Sequence, residues 1–179
     1  MNNSFSTKRL VIAGICLALA MVLPLLTAQI PQVGVLLSPM HIPVLLCGFL
    51  AGWPLGMLVG FIAPFLRFLL FGMPALIPMG TAMAFELAAY GLVSGLLYRA
   101  LPRKMSSIYV ALIAAMLAGR IVFGIAMYVL LLTSGGMYTF RAFFTAAFAN
   151  AIPGIVLHIL IIPPIVSALQ NAGLVPRKA

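Results

Sequence analysis

The sequence predicts an all-α integral membrane protein, a bundle of six transmembrane helices. Three observations carry that prediction. Hydrophobic residues fill 65% of the 179 positions and charged residues only 6%, whereas a soluble domain carries about 25% charged residues and about half apolar ones. The mean hydropathy is +1.26, more apolar surface than one small globule can hide. No Asp, Glu, Lys or Arg occurs from Leu10 to Leu66, a stretch that exceeds the ~20 residues of a single crossing. The apolar runs are continuous rather than alternating, which excludes barrel strands.

Punctuation divides the chain. Helix one is expected over about residues 8–28. Lys8 and Arg9 before an apolar run with Ala18-Leu19-Ala20 have the look of a cleavable leader, but the run continues unbroken to Leu26, long enough to span. Gln29 to Pro39, holding Pro31, Gln32, Gly34 and Ser38, reads as a loop. Helix two follows over about 41–51, then a tight turn at Gly52-Trp53-Pro54, then helix three over about 55–71 with Pro64 bending it. A loop from Gly72 to Pro78 leads to helix four, about 79–97, and a basic connection to helix five, about 108–132. Gly135 and Gly136 mark the next loop, and helix six runs over about 140–170, interrupted at Pro153 and at Pro163-Pro164. Residues 1–179 read as a single membrane domain.

Ten Lys and Arg face one acid, Glu86, for a net charge of +9. In a soluble chain that balance points to nucleic acid. Here the basic residues lie mostly between apolar runs, where they set orientation instead. In a six-pass chain Lys8, Arg9, Arg99, Arg103, Lys104, Arg177 and Lys178 share one side, against Arg67 and Arg141 near the opposite ends. Both termini are therefore expected in the cytoplasm, with the chain in the plasma membrane and no nucleic-acid partner.

That orientation gives depths to the polar residues left inside the spans. Arg67, Glu86, Arg120, Arg141 and Asn150 fall largely in the outer half, His41 opens helix two beside the first outer loop, and Tyr138 sits in the last one. Each intramembrane charge costs at least about 2.5 kcal/mol near a helix centre, so retaining three arginines and a glutamate points to a wet, outward-facing cavity. Glu86 has two readings, a structural partner of Arg67 or Arg120, or a ligand-binding group. Arg141 has two as well, since it can snorkel to the headgroups. His158, in mid-helix, is read as a packing residue ahead of a ligand. Positive charge remains even if Glu86 cancels one arginine, and a carboxylate is its natural partner.

On helix one Gly14 and Ala18 are four residues apart, as are Cys16 and Ala20. Small residues at that spacing allow close helix approach, to a partner or within the bundle. Cys16 and Cys47 lack metal-like spacing and read as small packing residues. No phosphate-binding glycine loop, carboxylate pair or metal motif is visible, so the sequence predicts no enzyme, no cofactor and no metal. A transporter with one acid has little with which to couple protons or sodium, so its energy would come from a partner.

The run Leu37-Ser38-Pro39-Met40-His41-Ile42-Pro43-Val44 is followed by Gly60-Phe61-Ile62-Ala63-Pro64-Phe65-Leu66-Arg67, Phe71-Gly72-Met73-Pro74 and Met83-Ala84-Phe85-Glu86-Leu87-Ala88-Ala89-Tyr90-Gly91. With six helices and small residues on helix one, this pattern resembles the substrate-binding S component of energy-coupling factor (ECF) transporters, near the pantothenate, pyridoxine, folate and queuosine-precursor members. The resemblance implies a subunit that captures a vitamin or related micronutrient from outside, docks through helix one on a membrane scaffold subunit, and topples to release it inside. Two separate ATPase subunits drive the cycle, and Gln29–Pro39 becomes the gate. Gly14 and Ala18 stand where the family often shows two alanines. Arg67, Arg120, Glu86, His41, Asn150, Tyr138 and Arg141 become the expected substrate-binding set, and Gly14, Ala18, Cys16 and Ala20 the docking set. The three arginines make pantothenate the favoured ligand. The competing reading is a small scaffold or channel subunit whose polar residues only fasten the bundle.

Overall fold

The computed structural model describes residues 6–27, 38–102, 104–133 and 152–173. Among them the chain forms six helices and no strand: α1 (Thr7–Thr27), α2 (His41–Ala51), α3 (Trp53–Phe71), α4 (Thr81–Ala100), α5 (Met105–Thr133) and α6 (Ile152–Asn171). All but α2 are long and apolar enough to cross a membrane. The chain is an all-α membrane bundle.

The short helix organises the rest. At eleven residues, α2 rises about 16 Å, roughly half the hydrocarbon thickness. Every residue in it except Ile42 is buried, and it touches α1, α3, α4 and α6. Its end is set by Gly52, at φ +97° and ψ 167°, a conformation open essentially to glycine alone. The expected three-residue turn is thus a single residue. Trp53 and Pro54 already belong to α3, where the first turn tolerates a missing N–H.

Two further boundaries differ from expectation. Leu76–Gly80, expected mostly as loop, is an irregular helical turn with Ile77 extended, tied to α4 by Thr81 Oγ1 donating to the Leu76 carbonyl at 2.8 Å. In α6 the helix continues through Pro163 and Pro164 rather than breaking there. Membrane helices tolerate such proline because neighbouring groups re-satisfy the freed carbonyls.

Glycine draws the central helices together. A Cβ on Gly91 of α4 would overlap the Gly56 backbone of α3, and one on Gly60 would overlap the Leu87 carbonyl. Such contact replaces the hydrophobic drive that lipid does not supply. Outward, Leu10, Val11, Ile15, Leu19 and Val22 on α1 and Leu117, Ile121 and Ile125 on α5 are exposed, the apolar faces a bilayer solvates.

The small residues of α1 separate onto two faces. Gly14 and Ala18 are exposed, whereas Cys16 and Ala20 are 4% and 0% exposed, within the core. Positions two apart on a helix differ by ~200° around its axis, so one set cannot share the other's neighbour. Cys16 and Ala20 therefore do not belong to an outward docking face.

Candidate functional site

The one acid of the chain lies at the centre of a polar cluster. Glu86, in the second turn of α4, is 1% exposed. Its Oε1 is 3.0 Å from Nη1 of Arg120 on α5, accepts the Tyr90 hydroxyl at 2.9 Å and lies 3.7 Å from Nε2 of His41 on α2. The His41 ring packs against Tyr90 at 5.3 Å between centroids and stacks on His158 of α6 at 5.9 Å and 21°. Four helices thus deliver His41, Glu86, Tyr90, Arg120 and His158 to one place.

Local sequence makes the delivery possible. Glu86 and Tyr90 are four apart on α4 and so face the same way. Gly119 precedes Arg120, and a Cβ there would overlap the Tyr90 ring and approach the Glu86 carbonyl oxygen at 3.1 Å. Glycine at that point lets α5 come close enough for Arg120 to reach the carboxylate. His41 is the first residue of α2, anchored by a hydrogen bond of Nδ1 with the Ser38 carbonyl at 3.1 Å.

The cluster is incompletely paired. Among the described residues, His41 Nε2, Arg120 Nε and His158 Nε2 are buried and find no hydrogen-bond partner. An unsatisfied buried polar group costs about 1–3 kcal/mol. Three in one cluster are a concentration that a purely structural core would select against.

Arg67 goes elsewhere. Its Nη1 donates to the Met21 carbonyl of α1 at 3.3 Å, and its guanidinium lies 5.3 Å from the Phe71 ring centroid, a cation–π contact. Of the two partners open to Glu86, the structure selects Arg120. Tyr138, Arg141 and Asn150 lie outside the described residues, as does nearly all of the expected gate, Gln29–Pro39. Tyr90 was not anticipated, and His158, expected as a packing residue, is buried against the His41 ring. Among the described residues no group of three or more His, Cys, Asp or Glu is arranged to hold a metal ion.

The match to known families is decided by a model described as ECF transporter, substrate-specific component, which covers residues 8–166. The chain belongs to that family. Comparison with curated proteins and with solved structures returned no match. As an ECF S component the chain is a membrane-spanning, substrate-binding subunit of a transporter rather than an enzyme, and its polar cluster sits in a bundle built to cross the membrane of the cell.

Proposed function

We propose that this S component captures a small water-soluble vitamin or related micronutrient from outside the cell, for uptake driven by ATP hydrolysis in two partner subunits. The observation that carries the reading is the buried, incompletely paired cluster around Glu86, inside a chain whose family is defined by substrate binding. Docking on the scaffold subunit uses the exposed side of α1, at Gly14 and Ala18. His41, Glu86 and Arg120 bind the substrate, and Arg67, turned toward α1, together with Tyr138, Arg141 and Asn150 completes the proposed set.

Pantothenate is the first ligand to test, because Arg67 and Arg141 remain as cations once Glu86 is matched to Arg120. A charged hydrogen bond from arginine to its carboxylate contributes on the order of 1.5–3 kcal/mol. Losing it weakens binding at least about tenfold. The Glu86–Arg120 pair favours a second reading, in which an already neutral cluster takes an uncharged substrate such as pyridoxine or a deazapurine. Calorimetry of the purified protein against pantothenate, its alcohol analogue, pyridoxine and a queuosine precursor separates the two. Binding of pantothenate but not its alcohol, lost in Arg67→Gln, establishes an anion site. Equal affinity for acid and alcohol, or binding of the neutral compounds alone, removes it.

Uptake also requires the orientation read from the basic residues, with both termini cytoplasmic. In a background lacking Cys16 and Cys47, a cysteine replacing Gly135 is expected to react with an impermeant reagent applied to whole cells, and one replacing Ser106 to stay unlabelled. The opposite pattern inverts the protein and ends the uptake reading.

A further inference from the structure

Ser38 enters α2 at φ +44°, a left-handed conformation that a non-glycine residue keeps only where its surroundings over-determine it. Its carbonyl supplies that constraint. It accepts the His41 backbone N–H at 3.0 Å and bonds the His41 ring through Nδ1 at 3.1 Å. A carbonyl oxygen only accepts, so the ring nitrogen reaching it carries the hydrogen. In His41 that nitrogen is Nδ1. In His158 too Nε2 is buried, with no hydrogen-bond partner among the described residues. The His158 ring stacks near-parallel on that of His41, 5.9 Å between centroids. The Nε2 of His41, turned away from Ser38, stands 3.7 Å from Glu86 Oε1 with no hydrogen-bond partner among the described residues.

We infer that Nε2 of His41, Nε2 of His158 and the Glu86 carboxylate form an acceptor-lined seat for a hydrogen-bond donor of the substrate, which binds with a hydroxyl, amide N–H or ring amino group foremost. The inference rests on the reading of this cluster as the substrate site. Arg120 Nε, the third unpartnered atom, adds a single donor beside the acceptors, so the complementary group offers a donor next to an acceptor. A carboxylate in the same seat would meet Glu86 and two lone pairs, so the acidic end of any acidic substrate lies elsewhere. The two nitrogens and the carboxylate are also donors that a transition metal uses. Arg120 Nη1, 3.0 Å from the same Oε1, already neutralises that charge and opposes a second cation.

Nitrogen-15 NMR of ring-labelled histidine in the full chain tests the seat without any ligand. The sequence holds only two histidines, so His158→Gln assigns the signals. The expected result is hydrogen on Nδ1 and none on Nε2 in both rings; hydrogen on Nε2 of either ring overturns the inference. Calorimetry then uses pantothenate and pyridoxine, each against its O-methylated analogue, on the wild type and on His41→Asn. The variant keeps a donor toward Ser38 and loses the Nε2 acceptor. Binding of whichever vitamin is taken should weaken at least about tenfold on methylation and in the variant, and unchanged affinity in both overturns the seat. Stoichiometric zinc binding lost in His41→Asn overturns it in favour of a metal site. If neither vitamin binds, the ligands proposed above fail, while the ring tautomers still decide this inference.

Discussion

Glu86→Ala is expected to lower the stability of the chain by about 3–5 kcal/mol, because it strands Arg120 as an uncompensated charge in the bundle. Glu86 is 1% exposed and lies 3.0 Å from Nη1 of Arg120. The Tyr90 hydroxyl, 2.9 Å from the same oxygen, loses its acceptor as well. At roughly 2–4 °C per kcal/mol for a chain of this size, the midpoint in a detergent melt falls by on the order of 10 °C. The double variant Glu86→Leu with Arg120→Met should recover most of that loss, since apolar replacement of a whole buried pair is often neutral or better. It should remain unable to bind substrate. Stability and binding then separate, which a fastening role alone does not predict. An unchanged melting midpoint in Glu86→Ala would show that the carboxylate is not the partner that holds Arg120 in the bundle.

How much of this was legible beforehand depended on which property each residue expresses. Membrane class and helix count follow from run length and the scarcity of charge, properties that need no knowledge of neighbours. The half-length α2 was visible too, because Gly52 ends a run too short to cross. The composition of the cluster was only half visible. Depth along the chain puts Arg67 and Arg120 in one zone, but the direction of a side chain around its helix depends on which helix packs beside it. Arg67 turns to α1 and Arg120 to α4. Tyr90 carried a signal that went unused, its spacing of four from Glu86. A similar signal lay in the glycines at 48, 52, 56 and 60, four apart along α2 and α3, with Gly91 and Gly95 opposite. This ladder is longer than the small-residue spacing of helix one, and it packs the core. The stacking of His158 on His41 depends on contacts between α2 and α6, more than a hundred residues apart in the chain, and no local pattern encodes it.

The same two-faced character of α1 makes the docking prediction sharp. Gly14→Leu and Ala18→Leu should each abolish uptake in cells that contain the scaffold and ATPase subunits, while leaving substrate affinity of the purified subunit unchanged. A Cβ on Gly14 has nothing within 4 Å, and Ala18, one turn on, is exposed. The added side chains project away from the bundle, into the space a closely packed partner helix would need. Folding should not suffer, since leucine is a better helix former than glycine by up to about 1 kcal/mol. Ala20→Leu supplies the internal contrast. Ala20 is 0% exposed, and overpacking there should cost about 1–3 kcal/mol of stability, so its loss of uptake would be accompanied by a lower melting midpoint. Co-purification with the scaffold subunit distinguishes the two kinds of failure: Gly14→Leu should be stable and unassembled, and Ala20→Leu unstable. Normal uptake in both Gly14→Leu and Ala18→Leu would place the docking surface on another helix, whereas lost substrate affinity in either would mean that this side of α1 shapes the binding site.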